Sequence, residues 1–178
     1  MARIIPIKYF ITSYETGNYE ESDPAKPFTI IRTYHTQCAL PQFTCCNGVC
    51  FPHEFSADDV LAWISTQRGL FGSIQNQNIC NMFADWLWSS GSEAVSGIED
   101  LLGVKDAKSH LSGETISALN AANPSYLFED IRKTRLRKVD EILRANPKLR
   151  KFEAGWYRRI NAIGFGYLVD SQIQRITW

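Results

Sequence analysis

The chain has 178 residues, 44% of them hydrophobic and 21% charged, with 19 basic and 19 acidic side chains and a formal net charge of zero. That length and balance suit one or two small domains around a substantial core and exclude fibrous, low-complexity and strongly charged disordered classes. No apolar run approaches the roughly 18 residues of a membrane span, and Arg3 and Lys8 flank Ile4, Ile5 and Ile7 without a leader-like apolar segment, so neither a membrane span nor a signal peptide is expected.

Ile4, Ile7, Ile11 and Tyr14 recur at three- and four-residue spacing, predicting a first helix from Arg3 to Tyr14 with Pro6 in its first turn and Gly17 as its stop. From Asn18 to Phe55 the pattern breaks around Pro24, Pro27, Pro41 and Pro52, which predicts irregular structure with a short hairpin near Phe28 to Tyr34. Ser56 followed by Asp58 and Asp59 reads as the start of a helix reaching Gln67, because a hydroxyl cap and first-turn carboxylates suit orphan amides.

Ile79, Phe83, Trp86 and Leu87 mark a helix from Asn76 to Trp88, closed by Ser89, Ser90 and Gly91. Ser92 is expected to cap the next helix, which ends at Gly103, and Ser112 to Ala122 forms a shorter one. Asn123-Pro124 opens the longest helix, with Leu127, Ile131, Val139, Ile142 and Leu143 as its apolar stripe and Arg132, Lys133, Arg137 and Lys138 mostly elsewhere. A final helix is expected from Asn146-Pro147, with Phe152, Trp156, Ile160 and Ile163 in register and Gly164 as its end. The fold class is therefore mainly α, with a small irregular or hairpin segment.

The neutral total conceals an asymmetry: residues 1–123 carry 7 basic and 13 acidic side chains, residues 124–178 carry 12 and 6, giving about −6 and +6. Such a split suits attraction between the two parts, solvated helix faces, or an anionic polymer. Cys45, Cys46 and Cys50 lie between Cys38 and His53. The spacing is not that of paired zinc knuckles, and a disulfide, free thiols and a metal site all remain open, whereas Cys80 on an apolar stripe reads as a packed thiol. Trp86 and Trp156 fall on apolar stripes and read as core, while Trp88, beside the Ser89-Ser90-Gly91 break, is expected to line a cleft. Glu15, at a helix end after Ile11 and Tyr14, is the carboxyl best placed to act as an acid from a partly apolar wall.

Several segments together resemble a known family. Phe152, Gly155, Trp156, Arg158 and Arg159 stand as F-x-x-G-W-x-R-R; Asp85-Trp86 precedes Ser90-Gly91; Leu101-Leu102-Gly103-Val104 makes an L-G-V turn; Thr115, Ala118 and Asn120 fit T-x-x-A-I-N. This arrangement resembles that of phage- and prophage-type N-acetylmuramidases, lysozyme-like glycoside hydrolases with a C-terminal helical peptidoglycan-binding domain. Glu15 matches the glutamate of the family's E-G-G, and Thr29 keeps the family's separation from it. The departures are Thr16 for a glycine, Asp23-Pro24-Ala25-Lys26-Pro27 for the D-P-G-G loop, Arg32 for a glycine, and Asp106 to His110 for a D-G-x-x-G turn.

The resemblance implies a lysozyme-like region at 1–91, a peptidoglycan-binding region at 92–164 and a tail at 165–178. It implies Glu15 as general acid, Asp23, with Glu20 or Glu21 as alternatives, as its carboxylate partner, Thr29 as a water-positioning residue, and Tyr19, Trp88, Ser90 and Gly91 as substrate contacts. The implied partner is bacterial peptidoglycan, with no cofactor, no metal and no nucleic acid. The protein would be held in the host cytoplasm until released to the wall, or carried in a virion. Tyr167, Leu168, Ile173, Ile176 and Trp178 make the tail apolar enough to dock onto the body or onto a protein partner.

Overall fold

A computed structural model describes residues 7, 10, 11, 13, 14, 28–30, 45–46, 49–50, 53–55, 68–104, 111–169 and 175–177. The fold is mainly helical, and its centre is a helix buried on every side. Helix α1 spans Arg68–Ser73 and α2 spans Gln77–Ser90. All eleven residues from Asn78 to Trp88 are buried, the mark of a helix with neighbours all round rather than on one stripe. The Asn76 side chain starts α2 by accepting from the amides of Asn78 and Ile79, at 3.0 and 3.2 Å. Gly91, with φ 59° and ψ −131°, turns the chain directly into α3, Ser92–Leu102; a side chain would resist that conformation. Ser92 is thus the first helical residue rather than the cap.

Helix α3 ends at Gly103 in the left-handed region, where the Gly103 and Val104 amides donate back to Asp100 and Glu99 carbonyls. Helix α4, Gly113–Ala121, is capped by Ser112, whose Oγ accepts from the Thr115 amide at 3.1 Å. Helix α5, Pro124–Ala145, is the longest at 22 residues, and Asn123 and Pro124 start it as the sequence predicts. It lies against α2, α3 and α6.

The expected final helix is two pieces: a 3₁₀ helix at Pro147–Phe152 and α6 at Glu153–Asn161. Three residues per turn place Leu149 and Phe152 on one side, where they join Val139, Leu143, Ile160, Trp156 and Tyr157 in a satellite apolar cluster. Gly164 does not end a helix but belongs to a strand. Strands β5 (Ile163–Gly164), β6 (Tyr167–Val169) and β7 (Arg175–Thr177) form an antiparallel meander.

Earlier in the chain, β1 (Phe28–Ile30) pairs with β4 (His53–Phe55), so the strand expected near Phe28 finds a distant partner instead of a local hairpin. Strands β2 (Cys45–Cys46) and β3 (Val49–Cys50) pair with Cys45 opposite Cys50. Ile7, Phe10, Ile11, Ser13 and Tyr14 are helical; the other residues of the helix expected at 3–14, and the whole helix expected at 56–67, lie outside the described residues.

The main core gathers Ile7, Phe10 and Ile11, most of α2, Ala94, Val95 and Ile98 of α3, Leu127, Phe128 and Ile131 of α5, and Ile163 and Leu168 of the meander. Residues on both sides of positions 91 and 164 therefore share one core. Leu168 is fully buried and Ile176 packs against the same cluster, so this part of the apolar tail docks onto the body. Among the described residues no helix is long and apolar enough to cross a membrane.

Candidate functional site

The described residue with the most strongly controlled chemistry is Asp85, fully buried on α2. Arg135 of α5 donates to its Oδ2 at 2.6 Å, and Arg159 of α6 donates to its Oδ1 through Nε at 2.9 Å and Nη2 at 2.7 Å. Arg135 is 4% exposed and also points Nη1 at the Met82 carbonyl and sulfur, at 3.4 and 3.2 Å. Burial pushes the Asp85 carboxyl up, but the two guanidiniums together outweigh that and hold it below its ordinary range. Burial likewise pulls Arg135 down against the opposing pull of Asp85, and it remains a cation. The cluster is thus a locked, ionised carboxylate with two cations. Its oxygens are committed to hydrogen bonds, which suits cross-linking three helices and unfits Asp85 for proton transfer.

Arg135 was hidden in the sequence by the basic run around it. Its signal is positional: it lies four residues from both Ile131 and Val139, so it is a cation on the apolar stripe.

The cluster reaches the N-terminal helical residues through Tyr14. The Arg159 guanidinium sits 5.6 Å from the centre of the Tyr14 ring, and the Tyr14 hydroxyl donates to the Val169 carbonyl at 3.2 Å. Phe10 packs on the same ring, with centroids 4.7 Å apart.

Glu15, Tyr19 and Asp23 lie outside the described residues. Thr29 is in β1, opposite Glu54 of β4. Ser90 is half-buried and Gly91 buried at the α2–α3 turn; the hydroxyls of Ser89 and Ser90 are 3.5 Å apart. Trp88 requires a correction. It is 1% exposed, because α2 is enclosed on all faces, and a ring without a solvent side gives a sugar nothing to stack on. Trp86 is core as expected, its ring packed directly over Gly97 of α3. Trp156 is half-buried and stacks on Phe152 at 5.9 Å.

Other polar arrangements lie among the described residues. Buried Glu99 accepts from Thr115 at 3.4 Å, tying α3 to α4 beside the Ser112 cap. A surface notch of about 320 Å³ between α5 and the 3₁₀ helix is lined by Asp140, Leu143, Arg144, Arg150 and Glu153. Beside it the Tyr157 hydroxyl donates to Asp140, which raises the phenol above its usual range. Among the described residues no three His, Cys, Asp or Glu side chains are grouped to hold a metal.

These features define a mainly helical protein whose N-terminal, central and C-terminal helical segments meet at one buried carboxylate–arginine cluster. No protein-family model matches the chain, and no curated protein matches its sequence.

Proposed function

We propose that the chain is a peptidoglycan-targeting, muramidase-like protein that hydrolyses the glycan between N-acetylmuramic acid and N-acetylglucosamine, as an endolysin or a virion-associated lysozyme. One observation carries this reading beyond the sequence. Asp85 and Arg159 come from two of the segments that carry the muramidase resemblance, and they pair directly across 74 residues of chain. Tyr14, the sequence neighbour of Glu15, lies against that same guanidinium. No local pattern requires that contact, and the reading takes it as its structural basis.

In this reading Glu15 protonates the leaving glycosidic oxygen, Asp23 stabilises the oxocarbenium character or orients water, and Thr29 positions that water. Tyr19 and Ser90 remain the candidate substrate contacts. Trp88 and Gly91, both buried, leave the set.

A second reading has its own support. Thr16, Ala25 and Lys26 replace glycines in the segments aligned with the catalytic loop, and one candidate sugar platform, Trp88, is in the core. On that reading the chain is a wall-binding or structural module of a phage tail or injection apparatus. Release of reducing sugars from purified peptidoglycan by wild type and Glu15→Gln, with pelleting on the same material, separates the two. Release lost on substitution with pelleting intact is the expected result. No release from either variant with pelleting retained would leave the binding module.

A further inference from the structure

We infer that Tyr14 is a positioning residue, held by the C-terminal meander and by Arg159 so that the described helical residues up to Tyr14 are fixed in place; a catalytic consequence for Glu15, the next residue in sequence, rests on the muramidase reading. The tail past position 164 lies beyond the segments that carry the family resemblance, yet it supplies the acceptor for the Tyr14 hydroxyl.

That acceptor is firmly placed. Val169 closes β6, and its amide donates to the Ala162 carbonyl at 2.8 Å. Val169 pairs with Arg175 of β7, and Leu168 beside it is fully buried. The turn into β6 is pinned to the start of α2, where the Gly166 amide donates to Asn78 Oδ1 at 2.6 Å. On the ring's face, Arg159 has little freedom because two of its nitrogens are bound to Asp85 Oδ1. Phe10, four residues back, packs against the half-buried ring.

Apolar burial alone does not require these contacts. Ile7 and Ile11 already bury that helix face completely, but packed hydrocarbon tolerates small slides, whereas a directed hydroxyl bond and a ring under a fixed guanidinium set the position along the helix axis. Displacements of about 1 Å cost catalysis on the order of 100-fold, so under the muramidase reading the restraint at Tyr14 bears on kcat.

Tyr14→Phe removes the hydroxyl and keeps the ring; Tyr126→Phe, on an exposed side chain 76% accessible, is the control. Turnover on solubilised glycan strands and amide hydrogen exchange are measured well below the melting temperature of each variant. Expected for Tyr14→Phe are a kcat reduced roughly tenfold, an unchanged KM, and exchange accelerated in residues 10–14 but not in α5. An active wild type with Tyr14→Phe equal to it in kcat overturns the positioning role, as does a change in KM alone. An inactive wild type overturns the muramidase reading instead; exchange then decides, with local acceleration upholding the strap and unchanged exchange overturning it.

Discussion

Converting Asp85 to asparagine keeps the side chain's shape and removes its charge, leaving buried Arg135 and half-buried Arg159 without their shared anion. Wild-type Asp85 accepts three hydrogen bonds between 2.6 and 2.9 Å from two cations. Asparagine keeps one acceptor oxygen and turns an amide nitrogen toward a guanidinium. Breaking a buried pair by removing one partner costs about 3–5 kcal/mol, a large share of the roughly 5–15 kcal/mol that stabilises a typical domain. For a chain of this size the melting temperature should fall by roughly 10 °C, at 2–4 °C per kcal/mol. Urea unfolding at pH 7, with m-values compared, measures the loss.

The cluster as a whole stabilises the fold far less than the loss of one member destabilises it, because burying charges is itself costly. Asp85→Leu combined with Arg135→Met and Arg159→Met should therefore recover most of the loss. A single-variant loss below about 1 kcal/mol, or a triple variant no better than the single, would show that Asp85 does not hold two buried cations in place. The pH dependence has a definite sign. The folded carboxyl lies below its ordinary value, so its contribution is complete above the unfolded pKa near 4 and disappears as pH falls through the lower folded value. Wild type should lose stability along that acid limb, and Asp85→Asn should lack this component.

Gly97→Ala should destabilise the protein by about 1–3 kcal/mol, because the added methyl would meet the ring of buried Trp86; Gly155→Ala, with open space at its Cβ, should be neutral or stabilising by up to about 1 kcal/mol. Thermal melts of the two variants would check the contrast, and equal effects would contradict the packing between α2 and α3. Burial pushes the Cys80 thiol up to about 12, so alkylation at pH 8 followed by peptide mapping should leave Cys80 unmodified in native protein and label it after denaturation. Rapid native labelling would show that this face of α2 opens.

Local pattern was a good guide wherever a helix boundary was marked by local chemistry. Asn76, Ser112 and Asn123 cap helices because their side-chain oxygens reach amides two or three residues on, a distance wholly contained in the sequence. Gly91 and Gly103 mark turns for the same reason. The pattern failed at 147–164, where a periodicity of three to four residues fits both α and 3₁₀ geometry and the satellite cluster selects between them. It also failed for β1, since a strand's partner is chosen by what else packs nearby. For the candidate site, Trp88 illustrates the limit: adjacency to a turn suggested exposure, but burial depends on what surrounds α2.

The mainly helical class, the starts of α2, α4 and α5 and the core role of Trp86 are legible in the sequence, because caps, proline placement and apolar spacing act within a few residues. Long-range packing sets the rest: α2 is enclosed on all sides, residues 163–177 form a meander, and Arg135 and Arg159 converge on Asp85. Those outcomes turn on contacts 50 to 155 residues apart in the chain. An isolated arginine in a basic run carries no mark of its partner; the low polarity of the interior obliges each buried charge to find one.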